Sequence, residues 1–111
     1  MTTIADEDIV YRRLHQQCFK GNGSVSSAAF KTNSRPDNQI SVDLARLTTP
    51  EESVNRKSRS GFRLGELEAG GPRQLGFDVI HDRQPDNAAH SLIVGENSAK
   101  LCKQLALLVR V

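Results

Sequence analysis

The stretch FDVIHDRQPDNAAHSLIVG, residues 77–95, decides how the chain folds. Phe77, Val79 and His81 alternate with Asp78 and Ile80, the period of two expected of a strand with one face in a core. Pro85, Asp86 and Asn87 supply turn chemistry, and HSLIVG then extends again. Two strands joined across a proline-centred turn are expected, and the rest of the chain is placed around them.

Working outward, GFRLGELEAGG reads as a further alternating strand. GPRQLG then supplies one helical turn, with Pro72 near its start and Gly76 able to end it in a left-handed conformation. ISVDL sets Ile40, Val42 and Leu44 on one face and Ser41 and Asp43 on the other. DIVYRRL is strand-like, and VSSAAFK is β-compatible but built of small residues, as where another backbone or a ligand comes close. TNSRPDNQ is rich in turn formers and predicts an exposed loop, and residues 1–7 predict a flexible end. In LTTPEESVNRK, Thr49 is placed to cap, Pro50 to open the first turn and Glu52 to reach back, so a short helix is expected over 50–56. A longer helix closes the chain in NSAKLCKQLALLVRV, where Ser98 caps and Leu101, Cys102, Leu105, Leu108 and Val109 form one apolar stripe. The sum is an α+β fold: a small mixed or antiparallel sheet of five to six strands, one short central helix and a C-terminal helix packed on the sheet.

At 111 residues, the length fits one domain, 1–111. The formal charge of +2 is too small to mark a dedicated nucleic-acid carrier, so local clustering of charge matters more. No segment approaches the roughly 18 apolar residues of a membrane span, and the acidic start MTTIADEDIVYRR lacks the apolar run of a secretory signal. Cys18 and Cys102 lie in unrelated contexts, without a CxxC pair or a disulfide framework. A soluble, cytoplasmic protein that does not engage membranes is expected. No cofactor is implied, since GxGxxG, the Walker lysine loop and GxSxG are all missing from the sequence.

Three sets of residues carry possible chemistry. His81 and His90, with eight residues between them across the turn, would serve as an acid/base pair if the strands bring them together. They lack the third and fourth ligands of a zinc signature, so no metal site is expected. The plainer alternative makes both histidines hydrogen-bonded strand ends. Arg12 and Arg13 with Ser26 and Ser27 would hold an anionic group through guanidinium forks and hydroxyls, unless alternation sends the arginines to separate faces and the serines only fill tight space. NRKSRSGFR carries Arg56, Lys57, Arg59 and Arg63 without an acid, and suits contact with a phosphate backbone or another partner. A solvated helix end followed by a loop accounts for it equally well.

YRRLH, SSAAF, SVDLARLTTPEE and HDRQPDNAAHSLIVG together resemble a group of small bacterial proteins, over residues 11–95. The resemblance implies no activity. The leading functional expectation is a small cytoplasmic interaction module that binds a protein or nucleic-acid partner through the basic loop. The alternatives are a small hydrolase or transferase acting on RNA or a nucleotide, with His81 and His90 moving protons and Arg12 and Arg13 binding the anion, and a purely structural subunit.

Overall fold

A computed structural model describes residues 2–21, 23–30, 39–55, 62–96 and 98–111. Five strands form one antiparallel sheet: β1 (Ile9–His15), β2 (Gln39–Leu44), β3 (Phe62–Glu68), β4 (Asp78–His81) and β5 (His90–Val94), in the order β3-β1-β2-β5-β4. Three α-helices accompany them: α1 (Pro50–Asn55), α2 (Gly70–Gln74) and α3 (Ala99–Leu108). This is the α+β class expected, with an antiparallel sheet.

The local signals act as their chemistry requires. Thr49 Oγ1 accepts the Glu52 amide at 3.2 Å and so caps α1, although the Glu52 carboxylate turns to the Thr48 hydroxyl at 3.5 Å. Gly76 follows α2 with φ +99°, and Ser98 caps α3 by accepting from Leu101 N–H at 3.2 Å. Register then divides the sheet into two faces. Val10 pairs with Leu44 and Leu67, Ile40 with Ile93, and Val79 with Ile93, so these apolar residues share one face. Phe30, Cys102, Leu105 and Ala106 complete the core with them. Gly65 lies on that face, where a Cβ would fall 2.6 Å from Val109 and 2.8 Å from Leu14, so only glycine lets the chain after α3 come this near.

Each sheet edge has outward backbone groups occupied at one position. Along β3, Glu66 and Arg110 exchange backbone hydrogen bonds of 2.6 and 2.9 Å. Along β4, the Val79 amide donates to the Asp78 carboxylate at 2.9 Å and the Val79 carbonyl accepts from Arg73 at 3.0 Å. Strand addition by another chain is thereby blocked at these positions.

Two segments differ from their sequence reading. SSAAF forms no strand: Val25 makes a single bridge to Phe19, and Ser27–Phe30 is a 3-10 turn with Phe30 fully buried. Tertiary contacts decide this, because Arg12 donates to the Ala29 carbonyl at 3.0 Å and α3 packs against the turn. The N-terminal end is strapped down from Thr2 onward. Ile4 is buried, Arg73 holds the Ile4 carbonyl and the Asp6 carboxylate, each at 2.6 Å, and Arg46 holds the Thr3 carbonyl at 2.7 Å and Asp8 at 3.1 Å.

The strap makes a pH-dependent prediction. The Ala5 amide, donating to Asp8 at 2.8 Å, and the guanidinium of Arg46 hold the Asp8 carboxyl below its ordinary 3.8. A depressed carboxylate stabilises the fold above its unfolded pKa and loses that contribution as pH falls through the folded value. Asp8→Asn is expected to cost roughly 1 kcal/mol at neutral pH. Urea melts should show the gap to the parent chain closing below about pH 4.

Candidate functional site

The polar side chains gather around one buried carboxylate. Asp43 is 1% exposed, and its Oδ2 accepts from Ser53 Oγ at 2.7 Å and from Arg13 Nη1 at 3.3 Å. Its Oδ1 accepts from Asn87 Nδ2 at 2.9 Å. Arg13 also donates to the Ser53 carbonyl at 3.1 Å, and Asn87 Oδ1 accepts the Ala89 amide at 3.1 Å. One anion thus ties β1, β2, α1 and the β4–β5 turn together. Charge-assisted bonds of this kind are the strong ones, and here they meet a carboxylate with little access to water.

His90 lies beside this network, directly across from Asp43 in the β2–β5 register. Its Nδ1 donates to the Asp82 carboxylate and the Asp82 carbonyl, both at 3.0 Å, and Gln84 donates to the same carboxylate at 2.8 Å. His81 is arranged differently. It is buried, its Nδ1 accepts the Thr2 amide at 3.2 Å and its Nε2–H donates to the Ala88 carbonyl at 2.7 Å, bonds that assign the neutral Nε2–H tautomer. His81 pairs with Ser91 in β5, one residue along from His90, so the two imidazoles belong to opposite faces of the sheet. They form no joint acid/base site.

The arginine pair divides in the same way. Arg12 shares the core face with Val10 and Leu14, donating from Nε to the Ala29 carbonyl and from Nη1 to the Ser41 carbonyl at 2.7 Å. Arg13 points to the Asp43 face. Ser26 Oγ accepts the Ala28 amide at 3.2 Å, and Ser27 opens the 3-10 turn. Arg12, Arg13, Ser26 and Ser27 therefore do not assemble into one anion cradle, because alternation along β1 separates the two guanidiniums.

Of the basic run, Arg56, Lys57 and Arg59 lie outside the described residues. Arg63 is exposed near the start of β3, with its guanidinium carbon 5.1 Å from the centre of the Phe19 ring, and exposed Lys20 follows Phe19 in the chain. The two ends of the β1–β3 ladder differ in their charged groups. One end pairs Leu14 with Arg63 and His15 with Phe62; the other pairs Tyr11 with Glu66 and Ile9 with Glu68 and has Asp6 and Glu7 beside it, with Arg73 and Arg110 paired to Asp6 and Glu68. Burial pushes the Tyr11 phenol above its ordinary value, and the charges of Glu66 and Glu51 add to that shift. An open cleft of about 410 Å³ lies at this acidic end, between Asp6, Glu68, Gly71 and Leu108.

Sequence reasoning missed the Asp43 hub and the contact of Arg63 with Phe19. The alternation in ISVDL puts Asp43 on a polar face, and α1 and the turn cover that face. A carboxylate inside the apolar run ISVDL was the available signal. No family model, curated protein or solved structure matches the chain.

Proposed function

We propose that the chain is a small cytoplasmic interaction module that captures an anionic partner through the basic segment 56–63. The observation that carries this reading is the setting of Arg63: the basic segment leads directly into it in the sequence, and among the described residues it meets no carboxylate, whereas the acids at the other end of the ladder have Arg73 and Arg110 beside them. A like-signed end raises the local concentration of an oppositely charged partner even when net charge is only +2. Two further findings agree with it. Arg12, Arg13 and His81, candidates for chemistry by residue type, are engaged in internal hydrogen bonds. The occupied backbone groups at Glu66 and Val79 disfavour β-strand addition at those positions. Among the described residues no helix is long and apolar enough to cross a membrane.

Replacing Arg56 and Arg59 together by alanine tests the proposal. Retention on heparin-agarose should fall, and the slope of log K against log salt should flatten by up to about 1.8 if each arginine neutralises one phosphate or equivalent charge. Unchanged retention and slope would remove the basic segment from the binding surface.

A second reading, a hydrolase acting on RNA or a nucleotide, draws on the Asp82–His90 pair, whose carboxylate orients the imidazole as a general base requires. Its surroundings weigh against an anionic substrate. Asp43 and Asp82 flank His90, and Arg13, on the same face of the sheet, is already bound to Asp43.

A further inference from the structure

The stack of Arg63 on Phe19 carries more than positive charge. Arg46, Arg73 and Arg110 each meet a carboxylate, whereas exposed Arg63 meets none among the described residues and lies over an aromatic ring. Phe19 is itself held in place: it is partly buried against the core, its amide donates to the Gln16 carbonyl at 3.2 Å, and it bridges to Val25. The next residue, Lys20, opens a tight turn closed by its own amide on the Ser24 carbonyl at 2.8 Å and by Gly23, at φ +86°.

From this geometry, and resting on the interaction-module reading, we infer that the partner is a single-stranded nucleic acid, with the Arg63–Phe19 stack as a base platform and Lys20 as a backbone contact. A guanidinium on a ring offers its outer face to an unstacked base and its N–H edge to phosphate, and the ring limits the rotamer freedom lost on binding. Lys20, exposed and next to Phe19 in the chain, supplies a point charge on a long flexible stem. A duplex buries its base faces, and an acidic polypeptide has no planar group that needs this platform. Either would be held by charge alone.

Fluorescence anisotropy with the full chain separates these partners, using labelled oligo-dT and oligo-rU 20-mers, a labelled duplex of the same length and labelled poly-glutamate. Arg63→Lys is the discriminating variant, because it keeps the charge and loses the plane. Single strands should bind more tightly than the duplex and poly-glutamate. Arg63→Lys and Arg63→Ala should both weaken single-strand binding by about tenfold, the scale of one lost base stack, and Lys20→Ala should mainly lower the salt dependence. Equal or tighter binding of the duplex or poly-glutamate, or a full rescue by Arg63→Lys, would overturn the single-strand inference and leave the anionic-partner reading standing. Failure to bind all four probes would remove both.

Discussion

Asp43→Ala is expected to destabilise the fold by about 3–5 kcal/mol, the usual cost of removing one partner from a buried, hydrogen-bonded charge pair. The carboxylate accepts from three side chains, and its loss leaves Arg13, Ser53 Oγ and Asn87 Nδ2 facing a void. Two of those residues, Ser53 and Asn87, are buried, so water does not readily replace the lost acceptor. Asp43→Asn should also be costly, because an amide sets a donor among donors, but it should cost less than alanine. Small domains have only about 5–15 kcal/mol in total, so the alanine variant should sit near the edge of folding. Urea denaturation at neutral pH measures it. A loss under about 1 kcal/mol with an unchanged m-value would mean that the hub is not a major support.

Phe30→Ala should be of similar size, about 3–5 kcal/mol, by loss of buried ring area and the cavity left behind. Phe30 is fully buried in the 3-10 turn that packs under α3, and its carbonyl accepts from Cys102 Sγ at 3.5 Å. Losing the ring should loosen the contact between that turn and the helix, lowering the melting temperature by more than about 10 °C. Leu107→Ser provides the contrast: Leu107 is 85% exposed, and its change should stay within about 0.5 kcal/mol. Equal small shifts in both variants would show that the Ser27–Phe30 turn does not belong to the core.

The two predictions concern regions that were legible to different degrees. Strand β4 announced itself by alternation, β5 by an extended apolar run after a proline turn, α1 by Thr49 and Pro50, and the end of α2 by Gly76. Those signals are local, and local chemistry determined the outcome. SSAAF misled because small residues suit both a strand and a tight turn, and the choice fell to distant groups: the Arg12 guanidinium, and Phe30 seeking the core under α3. The N-terminal end gave no periodic signal, since its order comes from Arg46 and Arg73, far along the chain.

Whether site residues meet is a question of parity, which sequence spacing does not answer. His81 pairs with Ser91, leaving His90 on the other face; a shift of one residue in that register would have reversed its side. Turn geometry sets that register, and DRQPDNAA allows more than one. The same parity sends Arg12 to the core and Arg13 to Asp43. By contrast, the basic character of 56–63 is visible in the sequence itself. The placing of Arg63 at the end of the ladder opposite Glu66 and Glu68 required the β1–β3 pairing.

The central claim, that binding belongs to the cationic end of this ladder, is tested most directly by mapping amide chemical shifts in the ¹⁵N-labelled chain during titration with oligo-dT. Shifts are expected to concentrate at His15, Phe19, Lys20 and Arg63, fading towards Tyr11 and Glu68 and weakening as salt rises. Shifts centred on Glu66, Glu68 and Asp6, or spread evenly over both ends at low salt, would contradict it.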